Sequence, residues 1–268
     1  MVAQQLPILL YHSIADDVAG PYRPYAVTPK RFAEQLAVLS RRGFTALTVR
    51  QAGDCIRSQQ PLPPRPVVIS FDDGLEDFLT GAVPILESFG MPATLFVTTG
   101  LVGKTAVWLR NLGEGQRPMM DWRALGTLPA RGIELGAHTR THPQLDILSL
   151  PQAWAEIVGS KIDIETALSI EVKSFAYPHG YSTPSVRKIV RDAGFTSACR
   201  VRHALSASSE NLFALSRIVV TEQMDEEMLI AAIDGETLPI APPTDHIPAT
   251  GWRLVRRLDK MLRAGAAP

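Results

Sequence analysis

The sequence predicts an α/β fold of the (β/α) barrel type, and three observations carry that prediction. Short β-branched or aromatic runs alternate with stretches of helical periodicity about seven times along the chain. The spacing from run to run leaves room for a crossover helix, as parallel pairing requires. The most apolar run, Pro66–Phe71, reads as a fully buried strand and ends abruptly in Asp72-Asp73-Gly74. Acids at the end of such a strand sit where α/β folds place their chemistry. At 268 residues the chain can hold one such domain.

Taken in order, Leu6–Tyr11 is the first strand, terminated by His12. Pro21–Pro29 is a Pro- and Tyr-rich loop. A helix starts at Thr28-Pro29, with Thr as N-cap and Pro at the first position, and ends at Gly43. Phe44–Leu47 is the second strand, Val49–Ser58 a helix, and Pro61–Pro66 a stiff connector into the acid-tipped strand. Glu76–Phe89 is a helix stopped by Gly90, and Ala93–Thr98 a strand. Gly100–Met120 is Gly-rich and irregular, a long loop expected near the site. Asp121 caps a helix to Ala130, and Ile133–His138 is a strand. Then come a long helix Leu150–Leu168, a strand Lys173–Tyr177, a helix Thr183–Ala193, a strand Thr196–Val201, a strand Ala214–Val220 and a helix Asp225–Ile233.

The barrel is expected over residues 1–238. Residues 239–268 form a Pro-rich connector and a basic amphipathic tail. There Trp252, Val255, Leu258 and Leu262 share a helical stripe, with Arg253, Arg256, Arg257, Lys260 and Arg263 around it. A helix that closes the barrel is the simpler reading of that tail. A peripheral membrane or partner contact is the alternative, since basic faces suit anionic lipid.

Lys+Arg 27 balances Asp+Glu 27, which argues against a nucleic-acid partner. No apolar run approaches the roughly 18 residues of a membrane span. The first residues lack a basic n-region and a small-residue cleavage site, so the chain reads as cytoplasmic. Cys55 and Cys199 form no framework and read as small buried hydrophobes.

Two neighbouring carboxylates repel unless a cation or a proton lies between them. An N-cap role explains one of Asp72 and Asp73 but not both. A second stretch, Glu134-Leu135-Gly136-Ala137-His138-Thr139-Arg140-Thr141-His142-Pro143, places two imidazoles four residues apart after a strand. That spacing lets both converge on one ion. Two His and a carboxylate form a catalytic metal set with an open position. Such ligation suits Zn2+, with Co2+ or Ni2+ as competent substitutes.

Phe71-Asp72-Asp73-Gly74 together with His138-Thr139-x-x-His142-Pro143 closely resembles the polysaccharide deacetylases of carbohydrate esterase family 4, the NodB-homology domain. The element order matches from about Leu6 to Val220. The resemblance implies a distorted (β/α)7 barrel and metal-dependent removal of N-acetyl groups from sugars. It implies that Asp73, His138 and His142 hold the metal. Asp72 would then be the base that takes a proton from metal-bound water attacking the amide carbonyl. Phe175-Ala176-Tyr177-Pro178-His179-Gly180 resembles the family's Arg-x-Pro-Tyr-type loop in altered form. Ala176 stands where an Arg would hold the catalytic Asp, and His179 where Tyr is usual. The loop Tyr177-Pro178-His179 can still offer a backbone N–H to the oxyanion. No His follows Leu215 in Leu215–Val220, where the family's general acid is common. Leu9-Leu10-Tyr11-His12-Ser13 is similar to the strand that the biofilm poly-N-acetylglucosamine deacetylase branch carries permuted to the front. His12 is therefore expected to protonate the leaving amine. Asp77 could orient a ligand or simply start a helix, and Trp108 and Trp122 could line a sugar subsite or anchor loops.

The function expected is hydrolysis of an N-acetylated sugar, with an N-acetylated carbohydrate as the partner. One rival keeps the fold and acts on a non-sugar amide, as the allantoinase-like relatives do. The other is a carbohydrate-binding protein that has lost turnover, a reading motivated by the missing Arg at 176 and the Tyr-to-His change.

Overall fold

The computed structural model describes residues 4–241, so the basic tail lies outside the described residues. Seven parallel strands close into a barrel. They are β1 (Ile8–Tyr11), β2 (Pro66–Phe71), β3 (Ala93–Val97), β4 (Ile133–Ala137), β5 (Ser174–Ala176), β6 (Ser197–His203) and β7 (Leu215–Val219). From β2 to β7 each strand pairs with the next in the chain. The ring is sealed by β1, which pairs with β2 through Ile8↔Val68 to Tyr11↔Phe71 and with β7 through Ile218↔Leu9 and Val219↔Leu10. First and last strands are thus neighbours, as a closed barrel demands.

The helices that pack around the barrel are α1 (Pro29–Arg41), α3 (Val83–Phe89), α4 (Trp122–Thr127), α5 (Leu150–Leu168), α6 (Pro184–Asp192) and α7 (Glu226–Ile233). Their starts follow local chemistry. Thr28, Asp121, Ser149, Thr183 and Asp225 each accept from the third residue on. Leu9, Tyr11, Val67, Ile69, Phe71, Leu95, Leu135, Phe175 and Ile218 face those helices in the main core. The alternate residues Ile8, Val68, Phe96, Ala176, Cys199 and Leu215 form a second cluster with Val49 and Ala52 of α2 (Val49–Arg57). Period-2 alternation therefore separates the helix-facing side from the barrel interior. Helix α2 plugs the N-terminal mouth, where Glu134 accepts from Arg50 N at 2.9 Å and Thr94 Oγ1 at 2.8 Å.

Four expectations change in detail. The predicted second strand is only Thr45–Leu47 and pairs with the first half of β2, so it is a wedge and not a stave. The first predicted strand breaks at Pro7, which has no N–H to give a ladder. Gln5–Leu6 instead pairs with Ser206–Ala207. The helix expected over Glu76–Phe89 begins as a π turn, Phe78–Ala82, before α3. Its Gly81 lies against Ile14, whose carbonyl oxygen would stand 2.2 Å from an added Cβ. The long loop after β3 holds two 3-10 turns, Thr99–Leu101 and Val107–Leu112.

An aromatic cluster backs the rim of β2. Tyr11, Phe32 and Phe71 have ring centroids 5.1 to 5.7 Å apart, Phe78 stands 4.8 Å from Phe71, and all are buried. Burying each such ring contributes roughly 1.5–3 kcal/mol, so the end of β2 is a rigid platform for the acids that follow.

Candidate metal centre

His12, Asp72, Asp73, His138, His142 and His179 sit at the C-terminal rim of the barrel, in the loops that follow its strands. His12 follows β1, Asp72 and Asp73 follow β2, His138 follows β4, and His179 lies in the turn after β5. They line one cavity of about 370 Å³ with Tyr22, Tyr25, Trp108 and Tyr181.

Asp73, His138 and His142 can each present one ligand atom, all within 4.8 Å of one another. Asp73 Oδ1 lies 3.4 Å from His142 Nε2 and 3.7 Å from His138 Nε2. Metal–ligand arms of about 2.1 Å set edges near 3.4 Å around a tetrahedral ion, which these separations match. The donor set has the signs of a cation site. Asp73 Oδ1 is buried without a hydrogen-bond partner. Burial first, then the charges of Asp72 and Asp77, push its carboxyl well above the usual range. Burial also lowers both imidazoles, so their nitrogens carry lone pairs. His138 Nδ1–H donates to the Ala176 carbonyl at 2.8 Å, which turns Nε2 toward the ligand cluster. Position 176 thus serves the site through its backbone.

The backbone is bent to make this possible. Asp73, Thr139 and His142 have φ of 79°, 67° and 59°, a region that side chains seldom adopt and that costs of order 1 kcal/mol or more each. The His142 amide donates to Thr139 Oγ1 at 3.1 Å, which holds one of these turns.

Asp72 is held by a residue that the sequence reading missed, while its Oδ2 stays 3.8 Å from His138 Nε2. Arg217 of β7 is completely buried and grips it with two parallel bonds, Nη1–Oδ1 and Nη2–Oδ2, both 2.7 Å. Burial alone would raise this carboxyl. The guanidinium, then His138, outweigh it and hold Asp72 down to about 2. The family's arginine is thus not lost with Ala176, because a guanidinium reaches the same carboxylate from another strand. The signal was present in the chain. An Arg inside the apolar run Leu215–Val219, two residues after inward-facing Leu215, must also face inward and needs a buried acid.

His12 lies in the cavity wall with its ring edge-on to Tyr25 at 5.6 Å. Burial pushes it down to about 4, with Asp72 opposing. The resting ring is therefore neutral at pH 7, and not protonated as an acid at rest would be. His179 reaches the cavity, edge-on to His142 at 4.7 Å and in the left-handed region at φ 57°. Pro178 is buried and outside the cavity lining. Tyr177 points into the protein, its hydroxyl donating to Phe213 O at 2.9 Å, so its side chain cannot meet a substrate.

Trp108 stacks on His142, centroids 4.9 Å apart, and lines the cavity. Trp122 does not, since it packs against the main core and edges a separate shallow groove beside Asp163. Asp77 accepts from Ser13 Oγ at 2.6 Å and Arg117 Nε at 2.9 Å, tying loops together and touching no ligand. Cys55 and Cys199 are unpaired thiols, Cys199 buried.

The family model described as polysaccharide deacetylase matches residues 59–198. YxkH of Bacillus subtilis is 26% identical over 231 residues, 86% of this chain and 77% of its own length. The poly-beta-1,6-N-acetyl-D-glucosamine N-deacetylase of Escherichia coli is 35% identical over 133 residues, 48% of this chain. The match spans about a fifth of that relative, 20% of its length. In structure, the Streptococcus pyogenes deacetylase PplD in complex with acetate superposes with a TM-score of 0.74 at 22% identity, covering 87% of this chain and 99% of its own. That likeness carries the barrel fold. With the family model matching more than half of the chain, the protein belongs to the polysaccharide deacetylase family and is a hydrolase of N-acetyl amide bonds.

Proposed function

We propose that this protein removes acetyl groups from an N-acetylglucosamine-bearing saccharide, using a divalent cation, Zn2+ foremost, held by Asp73, His138 and His142. The observation that carries the reading is the division of labour between two adjacent carboxylates. Asp73 is desolvated and aimed at two imidazoles, while Asp72 is kept ionised by Arg217.

Bound there, the cation would polarise the amide carbonyl and acidify a water molecule. The protein's own residues supply the remainder. Asp72 accepts the proton of the attacking water, and its fixed geometry keeps one carboxylate face toward the ligand cluster. His12 faces the leaving nitrogen and passes a proton to it. Its resting ring is neutral, so the proton it passes is taken up from solvent as negative charge develops on the attacked carbonyl oxygen, which raises the ring's proton affinity as Asp72 already does. The turn after β5 offers the His179 backbone N–H to the developing oxyanion.

The cavity lining supports an uncharged ring as substrate. Tyr22, Tyr25, Trp108 and Tyr181 offer flat faces, and no Lys or Arg is among the lining residues. Substrates whose recognition needs a phosphate or carboxylate clamp fit this lining poorly. Arg217 also removes the main ground for reading the chain as a binding protein without turnover.

Acetate release from N-acetylglucosamine oligomers, with the metal-loaded protein and its Asp72→Asn variant, tests the proposal. Loss of a general base lowers kcat by about 10²–10⁴-fold. Equal rates in the two proteins would end it.

A further inference from the structure

The two histidine ligands are joined by a bent three-residue link, Thr139-Arg140-Thr141, and that link rests on one face of α5. Glu156 Oε2 accepts from two consecutive amides, Arg140 N and Thr141 N, both at 2.9 Å. Its Oε1 accepts from Thr141 Oγ1 at 2.7 Å. Two successive N–H groups beside residues of positive φ form a concave nest for an anion, and Glu156 fills it. Seven residues on, Asp163 takes the Arg140 guanidinium through Nε at 2.8 Å and Nη2 at 2.6 Å. Asp163 also accepts from Thr99 Oγ1 at 2.7 Å. Between the two acids, Gly159 leaves room for the guanidinium, since an added Cβ would lie 2.5 Å from Arg140 Cζ. Positions 156, 159 and 163 fall on one helical face. The link is fixed from the other side too, as Thr99 N and Gly100 N donate to the Thr139 and Arg140 carbonyls at 3.0 and 2.9 Å.

We infer that Glu156, with Asp163 acting through Arg140, is a positioning residue for the metal ligands, α5 serving as the cradle that sets the separation of His138 from His142. The inference rests on the metal reading proposed above. Neither acid touches the ligand atoms. Each acts on the backbone between them, where φ of 67° at Thr139 and 59° at His142 would relax once the nest lost its anion. The sequence gives no hint of this, because Glu156 and Asp163 look like solvated residues of an amphipathic helix.

The test titrates the metal-free full-length protein with Co2+, reading affinity and the visible absorption of the bound ion, beside the melting temperature before metal is added. Supporting a ligand from outside the coordination sphere is worth roughly 10- to 100-fold in metal affinity. Glu156→Ala is expected to lose that much and to alter the Co2+ spectrum. Glu156→Gln keeps an oxygen for the two amides and should stay within about threefold of the wild type. A Glu156→Ala protein that binds Co2+ with wild-type affinity and spectrum, whatever its melting temperature, overturns the inference. So does equal loss in both variants. A wild type that binds Co2+ while Glu156→Ala binds it equally well sinks the cradle alone. A wild type that binds none sinks the metal reading and the cradle with it.

Discussion

At the scale of the residue, the site turns on two neighbouring aspartates with opposite fates. Asp72 ionises at about 2 because a buried guanidinium overcomes its desolvation, whereas Asp73 is desolvated beside other acids and rises. A folded pKa below the ordinary 3.8 means that Asp72 stabilises the fold above about pH 4, and that this contribution fades as pH falls toward 2. Arg217→Met should therefore cost several kcal/mol of stability in urea unfolding, since it strands a buried charge. In the residual activity, the acid limb of kcat/KM should move to higher pH, because burial alone raises Asp72. An unchanged acid limb would show that Arg217 does not tune the base.

At the scale of the element, the segment between β3 and α4 gives the cavity one of its walls. Thr105 and Leu75 bridge to Pro118 and Met119, and Tyr22, Leu75, Ala106, Leu109 and Met119 make a small core of their own. Arg117 ties this wall to Asp77 after β2 at 2.9 Å and to Ser13 Oγ after β1 at 3.3 Å, and Glu114, paired with Arg117, accepts from Ala19 N. Trp108 stands on the wall, stacked on His142 and packed against this small core, and lines the cavity. Loss of an aromatic stack is worth about 0.5–1.5 kcal/mol, so Trp108→Ala should raise KM up to about tenfold with kcat nearly unchanged. A fall in kcat at constant KM would instead make Trp108 a support for His142. The irregularity of this segment was legible from its glycines. Its partners were not, because they come from the loop after β1, far away in the chain.

At the scale of the whole molecule, the barrel brings seven strand ends to one rim, and a bound cation would couple that rim to global stability. In the metal-free protein Asp73 has a raised pKa, so its contribution is present below the ordinary carboxylate range and is lost as pH rises through the folded value. A cation replaces that proton, so it binds more tightly as pH rises. Zn2+ at 100 times its Kd should stabilise the fold by about 2.7 kcal/mol, roughly 5–10 °C in Tm, and EDTA should reverse it. At a fixed Zn2+ concentration the shift should grow from pH 5 to pH 8. A Tm indifferent to both reagents across that range would remove the cation from this rim.

The chain by itself determined the order and kind of its elements, because caps, glycine stops and buried apolar runs act over a few residues. It also marked Asp73, His138 and His142, whose spacing and positions after strands are local facts. Only the tertiary structure decided which acid grips which base. Arg217 lies 145 positions from Asp72 and meets it because closing the barrel packs β1 between β2 and β7, with inward-facing residues of each strand sharing one interior. Tyr177, read as a site residue from sequence, turns its side chain into the protein, and Trp122, for which a subsite and a loop anchor were both open, packs against the main core, since which side of a strand or helix meets a cavity depends on packing from elements far along the chain.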